Sequence, residues 1–256
     1  MNVLVTGGAG YIGSHTVKML LNAGHEVSVI DNLSTGNRWA VPENVKFYEL
    51  DLGDTAEVEK ILNNSTFDAV CHFAASIEVE ESVHNPQKYF YNNTVKTANF
   101  ALQCVNAKIP HFVFSSTAAT YGEPDVELIS ETTPQNPINP YGQSKVLSEQ
   151  FIKNLAASMP DQFSYVFLRY FNVAGAALDG EIGQAYPKPT HLVKVAAMAA
   201  TGKRDGITVF GTDYPTNDGT CIRDYIYIED LAQAHIDALN YLHAGGQSDV
   251  FNCGYG

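Results

Sequence analysis

Two hydrophobic rhythms alternate along most of this chain. A short apolar run at residues 2–6 predicts a buried strand. Residues 13–23 then switch to helical spacing, with Ile12, Thr16, Met19 and Leu20 on one face and Gly24 to end the helix. Valine-rich or aromatic runs at 25–30, 45–50, 69–73, 111–115 and 165–169 predict further strands, and 55–63, 86–105 and 141–157 carry helical patterns. Short strands alternating with helices predict βαβ units crossing over right-handed onto a parallel sheet. The expected fold is therefore α/β, with a Rossmann-like doubly wound parallel sheet over residues 1–172.

Beyond Asn172 the alternation fades. Residues 175–189 read as a loop, 191–201 as a helix, and Val209-Phe210-Gly211 as a short apolar run. Turn-rich 214–220 precedes a strand-like 223–228, a helix at 229–243 and one more strand at 250–253. This predicts a smaller, incomplete α/β substrate domain over 173–256, interleaved with the first.

Composition narrows the function. The 256 residues are 45% hydrophobic, enough for a real core, and the formal charge of −13 argues against nucleic-acid polymers and anionic membranes as partners. A nucleotide still binds such a chain, because a helix terminus acts locally. Cys71, Cys104, Cys221 and Cys253 are scattered, without a CxxC pair or a nearby His, so no metal site is expected and free thiols are. The start leads directly into a strand, and no apolar run nears the roughly 20 residues of a membrane helix, so a cytoplasmic protein is expected.

The chemistry begins at Thr6-Gly7-Gly8-Ala9-Gly10-Tyr11-Ile12-Gly13, between the first strand and the first helix. Glycines there permit a tight turn, close approach of a pyrophosphate and close helix–sheet packing, while the helix N-terminus offers N–H groups to phosphate. Asp31 follows the second strand, where a carboxylate accepts hydrogen bonds from both ribose hydroxyls of NAD and repels the extra phosphate of NADP. Asp31-Asn32 is also good turn chemistry. Asp51-Leu52, after the third strand, is a candidate to read the adenine edge.

Tyr141 and Lys145 stand four apart on a predicted helix and so share a face. A phenol with a pKa near ~10 is a poor base at neutral pH. A nearby ammonium, helped by an oxidised nicotinamide, favours the phenolate, which can then take a proton from a substrate hydroxyl. Ser115-Ser116-Thr117 ends the fifth strand, on the edge where α/β sheets bind ligands, and Thr117 can hydrogen-bond the reacting hydroxyl or cap the next turn.

These residues together resemble the extended short-chain dehydrogenase/reductase family. Phe73-Ala74-Ala75, Glu81-Ser82-Val83, Asn92-Asn93, Arg169-Tyr170-Phe171-Asn172 and above all the run YPTNDGTCIRDYIYIEDL at 214–231 are similar to its UDP-glucose 4-epimerase members. The resemblance covers essentially the whole chain. It implies NAD that stays bound through turnover, a proton taken by Tyr141 from the sugar 4-hydroxyl, and a 4-keto sugar that turns over before the hydride returns. UDP-glucose and UDP-galactose would be the substrates. It further implies that Gly7, Gly10, Tyr11, Ile12, Gly13, Asp31, Asn32, Leu33, Ser34, Thr35, Gly36, Asp51, Leu52, Phe73, Ala74, Ala75, Asn93, Ser115, Tyr141, Lys145, Tyr170 and Phe171 surround NAD. Thr117, Tyr141, Asn172, His191, Leu192, Phe210 and Arg223 would meet the UDP-sugar, with Arg223 on phosphate. Without that role His191 is a packed or surface histidine, and Arg223 a surface partner of Asp224 or Glu229.

Ile77 stands where some members carry a cofactor-contacting Lys. Members of the family continue for several dozen residues past the point where this chain stops. The resemblance therefore implies a truncated substrate domain, exposed apolar surface, and NAD binding that survives better than catalysis. It also implies a homodimer through residues 89–105 and 141–157. A dehydratase would carry an Asp-Glu pair after Thr117, where this chain has Ala118-Ala119. A decarboxylase stays open, as does an NAD-holding module without turnover.

Overall fold

In a computed structural model that describes residues 1–186 and 189–256, β1 (Asn2–Thr6) has Val3, Leu4 and Val5 fully buried. Its run does not alternate with polar residues because helices cover both faces of the sheet. Val3 and Val5 enter one core cluster and Leu4 another. α1 (Tyr11–Asn22) leads to β2 (Glu26–Asp31), and Gly24 makes the left-handed turn between them at φ +80°. β3 (Lys46–Glu49), α2 (Thr55–Asn63) and β4 (Ala69–His72) follow. Next come α3 (Val79–His84), α4 (Pro86–Tyr89), α5 (Lys96–Asn106), β5 (His111–Thr117), α6 (Pro140–Ser158) and β6 (Ser164–Tyr170). β7 (Asn172–Ala174), α7 (Leu192–Ala200), β8 (Tyr225–Tyr227), α8 (Ile228–His243) and β9 (Asp249–Cys253) complete the strands and α-helices among the described residues.

Seven strands pair in parallel in the order β3-β2-β1-β4-β5-β6-β9. The winding reverses between β1 and β4, so the ligand crevice of this doubly wound sheet lies beyond the carboxyl ends of the strands there. α8 covers β5, β6 and α1. The last part of the chain thus returns to the main sheet, through α8 on its face and β9 at its edge, while β7 and β8 form a separate parallel pair.

Some details differ from the sequence pattern. The helix expected at 86–105 is interrupted at Phe90–Val95 by a wide π-helical turn. α3 and β7 are additional, the first short and acidic, the second only three residues long and dependent on its pairing with β8. The apolar run 209–211 forms no strand. Of the expected loop 175–189, positions 187 and 188 lie outside the described residues. Its first part is tied to α1: Tyr11 Oη donates to the Gly175 carbonyl at 2.7 Å, and Lys18 pairs with Asp179 and with Glu181, the latter at 2.7 Å. Leu178 and Ile222 are exposed. Among the described residues, no helix is long and apolar enough to cross a membrane.

Candidate active site

The glycine turn is held by contacts that only glycine allows. Gly7 has φ +72° and donates its N–H to the Ile30 carbonyl at 2.8 Å, and a Cβ there would fall 2.7 Å from the Ala74 nitrogen. On Gly13 a Cβ would lie 2.2 Å from the Gly7 carbonyl oxygen. Gly10 is the N-cap of α1 and no side chain caps it, so the first-turn N–H groups and the positive end of the helix dipole stay open to an anion. This bare turn fits the diphosphate of NAD.

Asp31 joins the turn to the next loop. Its Oδ2 accepts the Ala9 N–H at 2.9 Å and its Oδ1 accepts the Leu33 N–H at 2.8 Å. Burial pushes this carboxyl up, and the two backbone donors pull against that shift. Leu33 adopts φ +55°, Ser34 donates its N–H to Asn32 Oδ1 at 3.0 Å, Thr35 is exposed, and Gly36 lies against Ala9. Asp51 Oδ2 accepts from Asn32 Nδ2 at 2.7 Å, while its Oδ1 pairs with Lys96 Nζ at 2.5 Å and accepts the Gly53 N–H at 2.7 Å. Burial works to raise the Asp51 carboxyl, and the Lys96, Gly53 and Asn32 donors overcome it and hold it low. Lys96 belongs to no motif, and its place here comes from the fold alone. Leu52 is buried nearby in sequence, Ile12 lies against the core, and Phe73 bonds back to β1 through its N–H on the Thr6 carbonyl at 2.9 Å. Ala74 and Ala75 continue that segment, half-buried.

Two strands from β1, β5 ends at Ser115-Ser116-Thr117. The facing helix α6 is capped by Asn139, whose Oδ1 accepts the Gly142 N–H at 2.8 Å. A Cβ on Gly142 would lie 2.5 Å from the Ala119 carbonyl oxygen, so glycine lets the helix start close to the turn after β5. That approach puts Tyr141 beside Thr117. Burial pushes the Tyr141 phenol up, and the Thr117 hydroxyl, as a donor, pulls it back. Lys145 is buried and gives its Nζ to the Ser115 carbonyl at 2.8 Å, 4.7 Å from the Phe114 ring centroid. Burial lowers its ammonium to about 7, against the opposing charge of Glu149. The spacing of Tyr141 and Lys145 predicts a lowered phenol; here the net shift is upward, because burial dominates and Lys145 is committed to a carbonyl. Thr117 caps the next turn, its Oγ1 accepting the Ala119 N–H at 3.1 Å.

Asn93 has a scaffolding part. Its two Nδ2 protons go to the Ser76 carbonyl and Ser144 Oγ, each at 3.0 Å, and its Oδ1 accepts the Ser76 N–H at 2.8 Å. The π-helical turn points this amide inward, where it joins the segment after β4 to α6. Tyr170 shares a short hydrogen bond with the Ser115 hydroxyl, and Phe171 donates its N–H to the Cys253 carbonyl at 3.2 Å.

The expected sugar-nucleotide residues are only partly gathered. Asn172 reaches across the β7–β8 pair, its Nδ2 donating to the Asp224 carbonyl at 2.9 Å. His191 occupies the N-cap position of α7 without a side-chain cap bond, its Nδ1 lies 3.0 Å from Gln184 Nε2, and burial pushes its imidazole down. Leu192 is exposed at the start of α7. Phe210, 97% exposed, and Arg223 stand on the irregular segment before β8. Arg223 donates to its neighbour's carbonyl, Ile222 O, at 2.7 Å, and among the described residues no ion pair with Asp224 or Glu229 forms.

Comparison with known proteins identifies the family of this fold. The model of the NAD dependent epimerase/dehydratase family matches residues 3–254. A UDP-glucose 4-epimerase of Azospirillum brasilense is 50% identical over 254 residues, 99% of this chain and 72% of that protein. The crystal structure of UDP-glucose 4-epimerase from Brucella ovis in complex with NAD superposes with a TM-score of 0.95 at 45% identity, over 99% of this chain and 77% of that one. The UDP-Glc/GlcNAc 4-epimerase of Campylobacter jejuni is 51% identical with a TM-score of 0.86, over 100% and 78% of the two chains. The sheet order, the bare glycine turn and these likenesses lead to one conclusion: the chain belongs to the NAD dependent epimerase/dehydratase family.

Proposed function

We propose that the chain interconverts UDP-glucose and UDP-galactose by oxidising and re-reducing C4 of the sugar. The observation that carries this is the Tyr141 phenol, buried beside the Thr117 hydroxyl at the carboxyl end of β5, with Lys145 one helical turn away. NAD, held by the glycine turn, Asp31 and the Asp51 region, supplies the hydride acceptor and donor. Tyr141 takes the proton of the 4-hydroxyl as the C4 hydrogen leaves with its electron pair, so a C4 carbonyl forms. Thr117 orients the reacting oxygen, and the positive charge of Lys145 favours the phenolate once a nicotinamide cation adds to it. Tyr141 returns its proton when the hydride comes back to the other face of the turned keto sugar. Asn172, His191 and Arg223 then hold the nucleotide end, with the guanidinium on phosphate.

An elimination of water finds less support. Ala118 and Ala119, in the turn after Thr117, bring no acid–base pair to the strand end. A homodimer through α5 and α6 suits the exposed Leu102, Val95 and Phe151 on those helices and the turn before them. The four free thiols suit a reducing cytoplasm. The test is incubation of the purified protein with UDP-galactose and no added cofactor. Formation of UDP-glucose, with NAD released on denaturation, is expected; bound NAD without product would instead leave an NAD-holding module.

A further inference from the structure

Glu149 lies one helical turn beyond Lys145 and two beyond Tyr141, so the three share the stripe of α6 that faces the end of β5. Each meets a different residue there. Tyr141 faces the Thr117 hydroxyl, Lys145 the Ser115 carbonyl at 2.8 Å, and Glu149 Oε1 accepts the Ser116 hydroxyl at 2.5 Å. Glu149 is fully buried and is held by a fork from Arg169 of β6, Nε to Oε1 at 2.9 Å and Nη2 to Oε2 at 2.5 Å. Gln135 Nε2 adds a bond to Oε2 at 2.9 Å. Arg169 Nη1 donates to the Tyr121 hydroxyl at 2.9 Å, which donates to Asn252 Oδ1 on β9 at 2.7 Å. A network of satisfied polar groups thus runs from the edge strand to the strand end beneath Tyr141 and Lys145.

Stability alone does not account for this. A buried ion pair is often replaceable by apolar side chains of equal volume without loss. What stability leaves unexplained is the position of the carboxylate, on the turn next to the buried ammonium and bonded to the residue between Ser115 and Thr117.

We propose that Glu149 is a positioning residue for the Tyr141–Lys145 chemistry, fixing α6 against Ser116 and supplying the buried negative charge that keeps the Lys145 ammonium a cation. The proposal rests on the epimerase reading above, in which Lys145 acts as a cation. The groups around the ammonium are few. From β4 there is His72, whose imidazole burial pushes down to about 3, with the charge of Lys145 adding to the shift, so it is neutral. From β5 come the Ser115 carbonyl and the Phe114 ring. α6 itself brings Tyr141 and Glu149, and β6 brings Arg169 behind the carboxylate. The charge of Glu149 opposes the fall that burial causes in Lys145. Without it the ammonium gives up its proton at lower pH, and a neutral amine no longer favours a phenolate.

The test compares the parent chain with Glu149→Gln. The Lys145 methylene next to the amine is followed by carbon NMR across pH and assigned with Lys145→Met. The titration is expected to move down by about one pH unit, in the range typical of a lost neighbouring charge. The alkaline limb of kcat with UDP-galactose should move with it, with kcat changing more than KM. A second variant, Glu149→Met with Arg169→Met, removes the stranded guanidinium and should move the titration in the same direction by a smaller amount. A titration and limb that stay in place in either folded variant would overturn the proposal. Failure of both variants to fold would also overturn it, by assigning the pair to the scaffold alone. Lack of turnover in the parent chain would sink the epimerase reading only, since the NMR titration needs no turnover.

Discussion

The N–H of Ala9 donates to Oδ2 of Asp31 at 2.9 Å, so the phosphate turn and the acid at the end of β2 are one hydrogen-bonded unit. The other oxygen holds Leu33, in the loop that continues from it. Asp31→Ala should therefore act twice. NAD binding should weaken more than NADP binding, and the chain should lose about 1–3 kcal/mol for each buried N–H left without an acceptor. Fluorescence titration with both nucleotides and a urea melt read the two effects; equal loss for NAD and NADP would rule out the ribose role.

Gly13→Ala should cost the cofactor as well as stability. Its Cβ would meet the Gly7 carbonyl oxygen at 2.2 Å, so either α1 or the turn must shift. The purified variant should carry little or no NAD and melt at lower temperature. A variant that retains the parent's NAD content would show that the turn has room the geometry denies.

Tyr141→Phe keeps the ring and removes the proton acceptor. Turnover should fall by roughly 10²- to 10⁴-fold, the usual worth of a positioned acid–base group, with NAD still bound. A variant within tenfold of the parent would move the base elsewhere.

Thr117→Ala should lower kcat by roughly tenfold or more, because one hydrogen bond to a developing charge is lost. Thr117→Ser, which keeps the hydroxyl and the bond to the Ala119 N–H, should be close to the parent. Equal activities for the two variants would reduce Thr117 to a turn cap.

Acid should destabilise the fold through its buried imidazoles. His72 is bonded to Thr6 Oγ1 at 2.7 Å and Thr97 Oγ1 at 2.8 Å, and burial pushes it down to about 3 from 6.5. His235 is pushed down to about 4 by burial. Between those values and 6.5 the unfolded chain binds protons that the native chain does not, so stability falls as pH is lowered through that window. For His72 the loss between pH 7 and 5 is about 2 kcal/mol. His72→Asn should flatten the dependence of melting temperature on pH over that interval; an unchanged slope would contradict the assignment.

The legible features were those whose chemistry is local. Gly13 announces a tight turn because the clash a side chain would make is with Gly7 of the same turn, and Gly7 because its left-handed φ of +72° is a local demand. Asp31 and the Tyr141–Lys145 spacing are likewise carried by one strand end and one helix. Lys96 was hidden because its pairing with Asp51 exists only once α5 lies beside the third strand's loop. The inward amide of Asn93 depends on a π-helical turn that no hydrophobic period reveals. The direction of the Tyr141 shift was also out of reach, because burial is a property of the whole packed sheet and not of a spacing.

The central claim is that a hydride leaves C4 and returns to the same carbon within one site. UDP-galactose deuterated at C4, incubated with the purified protein in ordinary water, tests it most directly by mass spectrometry and proton NMR of the product. UDP-glucose that keeps its deuterium at C4 is the predicted result. Deuterium washed out into solvent would contradict the account.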